Sequence, residues 1–364
     1  MWKAFDVFTP HVFGALETGY TDNVLRTDND RPGAHLVREP YSRGEAGVRL
    51  DTQLADHLLQ LEYRARMTEY WNTSSYDTFE HNARARLDLF FTDVAVHGNL
   101  GYARNQYPQS IQLRGLIRQS VYDFQLWTQV SLAKVGFRVG GSGELVDYHN
   151  SSLRNLDYRS LGGNAQFFVE IFPKLHVLAE YSITAYEYRR GRKGTLNDYL
   201  LHTAWLGLRG ELTPKLTASI KLGYSYQDVQ RGPNPDHRDY QGFSGEASVR
   251  WAPLAHTSLV VTGARRIEPS VNSNYLLTDE VRFTASQGFF EEGDLVAAAY
   301  IGYGHSRVSP GNHLNRVQTG ASLTWQIKQW LSVASTYTFE KLISGFAFSD
   351  YTVHTVTISV GVGF

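Results

Sequence analysis

Apolar and polar residues alternate with a period of two along most of this chain. In Leu59-Gln60-Leu61-Glu62-Tyr63-Arg64-Ala65-Arg66-Met67 the odd positions are apolar and the even ones polar or charged. Leu216-Thr217-Ala218-Ser219-Ile220-Lys221-Leu222-Gly223-Tyr224 repeats the pattern with its even positions apolar, and Val317-Gln318-Thr319-Gly320-Ala321-Ser322-Leu323-Thr324-Trp325 does so again. Successive side chains of a strand point to opposite faces, so each segment predicts a strand with one apolar face. The chain reads as one unit repeated nine times: a strand of about 10 to 15 residues, a short turn, and a second such strand. Its last residues, Ile358-Ser359-Val360-Gly361-Val362-Gly363-Phe364, carry the alternation to a terminal aromatic. No apolar run reaches the roughly 18 residues of a spanning helix. A bilayer offers backbone N–H and C=O groups no water, so only helices or a closed sheet cross it. The pattern therefore predicts an all-β transmembrane antiparallel up-and-down barrel, with a large soluble β-barrel or propeller as the competing fold.

Turns set the strand count. Short clusters of turn residues fall at Ala55-Asp56, Thr92-Asp93, Lys134-Val135, Pro173-Lys174, Thr213-Pro214-Lys215, Pro253-Leu254-Ala255-His256, Glu291-Glu292-Gly293 and Gln329-Trp330. Their spacing of about 35 to 41 residues suits two membrane strands and a loop. The other connections, among them 22–39, 72–76, 106–116, 189–197, 231–238 and 309–313, are longer and more polar. Bacterial barrels keep short turns in the periplasm and longer loops outside. Eight periplasmic turns plus two periplasmic termini predict 18 strands, with 16 as the nearest miscount. Residues 1–364 then form a single barrel domain, with 1–10 as a short periplasmic extension.

Composition adds further constraints. Mean hydropathy is −0.33, as expected where every strand has a polar face. The 22 Tyr, 7 Trp and 32 Gly suit interfacial aromatic girdles and curved strands. Cysteine is absent, which fits passage through an oxidising periplasm and removes thiolate chemistry and disulfides. The net charge of −1 suggests no nucleic-acid partner. Met1-Trp2-Lys3-Ala4 has neither the apolar core nor the cleavage site of a signal peptide, so a mature chain is expected.

A charge on the lipid face costs about 2 to 4 kcal/mol at the midplane, so the polar set faces inward. The lumen lining predicted in this way comprises Glu62, Arg64, Arg66, Arg84, Arg86, Asp88, Arg138, Glu144, Arg209, Glu211, Lys221, Glu246, Arg250, Glu280, Arg282, Arg316 and Glu340. Both signs occur, often two residues apart, so pairs neutralise the wall in place of a single-sign field. Arg64, Arg66, Arg84 and Arg86 form a basic patch that either meets an anion or is balanced by Glu62, Glu80 and Asp88. The Arg189-Arg190-Gly191-Arg192-Lys193 loop is a candidate contact for lipopolysaccharide phosphates. Eighteen strands enclose more space than side chains fill, and no loop looks long enough to fold deep inside.

Other motifs carry no chemistry. Gly140-Gly141-Ser142-Gly143 sits within a strand with no helix to receive phosphate. His305-Ser306 and Asp350 with His354 lack a register that would make a catalytic set. The 13 His show no ligand spacing, so neither a metal nor another cofactor is expected, and no enzyme activity.

Gly19-Tyr20-Thr21-Asp22-Asn23-Val24-Leu25-Arg26-Thr27 resembles the opening of the β-barrel porin 2 family, whose first strand ends in a Tyr-x-Asp-Asn-hydrophobic-x-Arg run, here Tyr20, Asp22, Asn23 and Arg26. Thr213-Pro214-Lys215-Leu216 and Pro253-Leu254-Ala255-His256-Thr257-Ser258-Leu259 are similar to that family's Pro-containing periplasmic hairpins. The resemblance implies a Wzp- or VpsM-like barrel that passes exopolysaccharide or capsular polymer outward with a periplasmic polysaccharide export protein. The alternatives are a general diffusion porin for small hydrophilic solutes and a non-conducting structural barrel of an envelope complex. Under any of them the expected surroundings are outer-membrane lipid and lipopolysaccharide, with Phe364 as the signal read by the barrel-assembly machinery.

Overall fold

The computed structural model describes residues 8–28, 36–106, 117–188, 196–230, 239–270, 273, 275–290, 294–308, 311–345 and 350–364. Their strands are β1 Phe8–Thr21, β2 Glu39–Leu54, β3 His57–Tyr70, β4 Thr78–Phe90, β5 Val94–Gln106, β6 Arg118–Leu132, β7 Val135–Tyr148, β8 Tyr158–Phe172 and β9 Leu175–Tyr188. The second half continues with β10 Tyr199–Thr213, β11 Leu216–Val229, β12 Tyr240–Trp251, β13 Thr257–Glu268, β14 Leu276–Phe289, β15 Leu295–Val308, β16 Asn312–Lys328, β17 Leu331–Ser344 and β18 Tyr351–Gly363. Each strand pairs antiparallel with its chain neighbours, and β1 pairs with β18 from Phe13↔Gly363 to Thr21↔Thr355. The sheet is thus a closed barrel of 18 strands with no free edge, the one β architecture that satisfies every backbone group in lipid.

The register carries one side-chain face continuously around the barrel. Val12, Leu16, Val48, Tyr63, Leu100, Leu126, Leu206, Leu222, Ile301 and Ile358 lie on the outer face, all exposed as lipid contact requires. An upper belt of this face is built from cross-strand Tyr–His pairs. The hydroxyls of Tyr63, Tyr181 and Tyr337 meet Nδ1 of His81, His202 and His354 at 2.6, 2.7 and 2.9 Å. An amphipathic ring with its polar end satisfied suits the membrane–water interface.

The short turns use few glycines. Ala55, Ala133 and Lys174 each adopt a left-handed conformation, with φ of 54°, 46° and 66°. This moves one expected turn by a residue: Ala133-Lys134 turns the chain, and Val135 already belongs to β7. Gly210 (φ 147°) is required where β10 passes that edge, since a Cβ there would lie 1.8 Å from the Lys174 carbonyl oxygen. Strand β1 begins at Phe8, so residues 8–10 are part of the wall and not of a periplasmic extension. Residues 1–7, the Glu291-Glu292-Gly293 turn and the Arg189–Lys193 loop lie outside the described residues.

The opposite ends share another device. A carboxylate just before the returning strand accepts the backbone N–H at the end of the outgoing one. Asp77 does so for Tyr70 at 2.8 Å, Asp157 for Tyr148 at 2.7 Å and Asp198 for Tyr188 at 2.7 Å. Asp239 takes the Val229 N–H at 2.9 Å and Asp350 that of Ser344 at 2.7 Å. Each closes the hairpin where the ladder stops and would otherwise strand a donor.

Candidate pore lining

Cross-strand register places Glu62, Arg64 and Arg66 of β3 beside Arg84 and Glu80 of β4, and the same face continues through Arg86 and Asp88. It then runs through Arg138 and Glu144 (β7), Arg209 and Glu211 (β10), Lys221 (β11), Glu246 and Arg250 (β12), Glu280 and Arg282 (β14), Arg316 (β16) and Glu340 (β17). All lie on the inner face, opposite the exposed apolar set. Residues overlooked in the sequence join them: Glu17, Arg43, Glu45, Arg49 and Asp51 on β1 and β2, Glu180 on β9, and Arg266 with Glu268 on β13. The alternation in Arg43-Gly44-Glu45 and Arg49-Leu50-Asp51 was available to find the first group.

The basic patch is largely paired. Arg66 lies 2.7 Å from Glu45 and 3.8 Å from Glu80, while Arg64 bridges Glu45 and Glu62 at 3.2 and 3.0 Å. Arg86 meets the buried Asp88 at 2.7 Å. Arg84 has no carboxylate within salt-bridge distance among the described residues, so it alone of the four presents an unneutralised charge. Elsewhere Lys221 meets Glu180 at 2.9 Å, Arg266 meets both Glu268 and Glu280 at 2.7 Å, and Lys174 meets Glu211 at 2.9 Å.

A second set of cations has no ion pair among the described residues. Arg138 lies over the Trp127 ring at 4.1 Å and donates to Gln129 at 2.8 Å. Arg282 lies over Tyr300 at 4.4 Å and donates to Gln318. Arg209, Arg250 and Arg316 have no ion pair among the described residues. Arg209 and Arg250 line a cavity of about 520 Å³ at the periplasmic end, together with Lys174 and His176.

The extracellular end is built differently. There the inner face turns apolar and aromatic: Val146, Tyr148, Tyr188, Tyr199 and Val229 form a buried cluster, with Ile117, Leu156 and Leu196 folding in from the connections. Tyr186 and Tyr199 stack at 4.6 Å. A second cluster joins Leu276, Val308, Leu314, Leu342 and Tyr351. Between the walls lies a cavity of about 360 Å³ that touches Tyr158, Tyr188 and Leu196 on one side and Arg266, Glu268 and Arg316 on the other. The expectation of a lumen uncapped by its loops is corrected here. Burying apolar surface is favourable for short loops too, and many Tyr expected in lipid girdles lie inside the mouth.

The opening motif has a place at this mouth. Asp22 accepts the His354 N–H at 2.7 Å, closing the seam between the first and last strands. Asn23 is buried and holds its own loop, its Oδ1 accepting from Thr27 N at 2.9 Å and its Nδ2 donating to the Thr352 carbonyl at 3.2 Å. Arg26 then reaches Glu340, 3.6 Å away. Tyr20 lies exposed on the outer face. Phe364 completes the seam: its N–H donates to the Val12 carbonyl at 2.9 Å, and its ring stacks on Trp330 at 5.8 Å.

The family model described as "Putative beta-barrel porin 2" matches residues 8–364. The chain belongs to this porin family. A porin of this build is an outer-membrane β-barrel channel, which agrees with the closed 18-strand wall. A search of the curated proteins finds no significant match. Solved outer-membrane barrels share the architecture at low identity. They include Pseudomonas aeruginosa OpdK with vanillate (11% identity, TM-score 0.53, 98% of this chain and 99% of that one). Acinetobacter baumannii OccAB4 (11%, 0.52, 98% and 98%) and P. aeruginosa OpdQ (10%, 0.52, 98% and 98%) are similar too. At such identities the likeness speaks for the fold alone. His305 faces outward while Ser306 faces the lumen, and Asp350 is engaged with Ser344, so these residues form no catalytic set. Among the described residues no cluster of His, Asp and Glu suits a metal ion.

Proposed function

We propose that this porin is a passive channel for small hydrophilic solutes. The observation that carries this reading is the in-folded mouth: Leu156 and Leu196 enter the lumen from the connections and pack with the tyrosine cluster, beside a cavity of about 360 Å³ that Arg266 lines on its other side. A space of that order holds one small molecule, whereas a hydrated polymer needs a continuous wide bore. Export of exopolysaccharide drew on the family resemblance, and the small-solute reading accounts better for the in-folded residues. That OpdK is described with vanillate agrees with solutes of this size.

The wall supports passage without strong ion selection. Most lumen carboxylates are tied to arginine or lysine, which flattens the field. The cations with neutral partners, Arg138 and Arg282, offer transient contacts to anionic groups, and tyrosine faces offer stacking surfaces to planar ones. A liposome-swelling series tests the reading: monosaccharides and small organic acids should enter, and oligosaccharides of increasing length should be excluded. Uptake independent of length supports the polymer path, and no uptake supports a non-conducting anchor.

A further inference from the structure

Charges on the outer face are distributed unevenly. Among the described strand residues, every Asp, Glu, Lys or Arg on the lipid side except Lys328, at the periplasmic tip of β16, lies within three residues of a strand's extracellular end. Apart from Lys328, the periplasmic border of that face is neutral, with Leu54, Leu132, Leu212, Trp251 and Trp325 exposed there. A charge directed at lipid is unfavourable unless something at that depth compensates it. The compensation is therefore on the extracellular side.

On β13 to β17 the outer face is cationic. Arg265 and Arg307 flank Asp279 at 3.5 and 3.7 Å, so one carboxylate is shared between two guanidinium groups. Arg265 Nε is buried with no hydrogen-bond partner. Lys341 is exposed on the same face with no ion pair among the described residues, and His305 and His313 stack between these groups at 5.6 Å. Tyr303 and Asn315, hydrogen-bonded at 2.9 Å, belong to the tyrosine belt and place the group at headgroup level. From Arg265 to Lys341 is four strand spacings, roughly 19 Å. That span is too wide for one inorganic anion and suits a headgroup that carries more than one phosphate.

We infer that this face binds the phosphate groups of an outer-leaflet lipopolysaccharide, with Arg265, Arg307 and Lys341 as the neutralising cations. Asp279 holds the two arginines apart and fixes their direction. The site is independent of which solute the lumen passes.

Native mass spectrometry of the intact, detergent-extracted barrel tests it with bis-phosphorylated lipid A, its dephosphorylated counterpart and inorganic phosphate as probes. The parent should retain the phosphorylated lipid and not the dephosphorylated one. Each lost cation should weaken retention about fivefold, so Arg307→Gln with Lys341→Gln should lose roughly 25-fold. The lumen variant Arg84→Gln should retain lipid as the parent does. Heat-modifiability shows that the variants are folded, and the single exposed substitution Lys341→Gln serves if the double variant is not. Unchanged retention in a folded variant overturns the site. So does equal retention of dephosphorylated lipid A, or displacement of the lipid by millimolar inorganic phosphate.

Discussion

The Asp157 carboxylate accepts the Tyr148 backbone N–H at 2.7 Å, clasping β7 to β8 at the point where the extracellular ladder ends. Both residues are buried, and the clasp lies beneath the cluster formed by Tyr148, Leu156 and Tyr188. It connects a local hairpin to the shape of the mouth, because Leu156 enters the lumen from the residue just before Asp157. Removing the carboxylate leaves a buried donor unpaired. Asp157→Ala should destabilise the barrel by about 1.5 to 3 kcal/mol, and Asp157→Asn, which keeps an accepting oxygen, by less. Urea unfolding in lipid vesicles reads the difference; equal stability of the three proteins would contradict the role.

Arg66 and Arg84 should behave oppositely although they lie on adjacent strands. Arg84→Glu meets no existing pair, so the folded yield should be kept and permeability should shift towards cations. Arg66→Glu places a third carboxylate beside Glu45 and Glu80, and the folded yield should fall. Reversal potentials and heat-modifiability measure the two effects. Equal behaviour of the variants would show that the pairing does not govern the wall.

Register predicts a contrast along a single strand. Leu222 faces lipid near the middle of β11, while Ser219 faces the lumen. Leu222→Arg should cost about 2 to 4 kcal/mol, and Ser219→Arg should cost little. Unfolding in vesicles distinguishes them, and a reversed order would mean the faces are assigned the wrong way round.

We propose that Phe364 acts in assembly more than in transport. It supplies the last hydrogen bonds of the seam with Val12 and the stack on Trp330. Deleting Phe364 should lower the amount of folded, heat-modifiable protein in the outer membrane while leaving the conductance of the folded fraction unchanged. An unaltered folded yield would refute this.

The strand number was legible because turn residues punctuate the chain at near-constant intervals, and the inner face because charge alternates with apolar residues in β3 and β11. The in-folded mouth was not. Alternation tells which face a residue takes but not its depth, so Tyr148, Tyr188 and Tyr199 look the same in sequence as the belt residues Tyr63 and Tyr181. One signal was present and overlooked: Asp-Tyr recurs at Asp157-Tyr158, Asp198-Tyr199, Asp239-Tyr240 and Asp350-Tyr351. In each the Asp clasps the hairpin and the Tyr begins the returning strand on the inner face. The turn at Ala133-Lys134 was placed a residue late because no Gly, Pro, Asn or Asp marks it, whereas the other alanine turn, at Ala55, is marked by Asp56.

The most direct test of the account is solute uptake into liposomes containing the purified barrel, measured with sugars of graded size alongside planar-bilayer conductance. A stable open channel is expected, with a cation-to-anion permeability ratio near unity and a sharp loss of uptake beyond small oligosaccharides. Opening the mouth by Leu156→Ala with Leu196→Ala should raise that size limit. A channel that is closed, or one that admits long glycans as readily as monosaccharides, would contradict it.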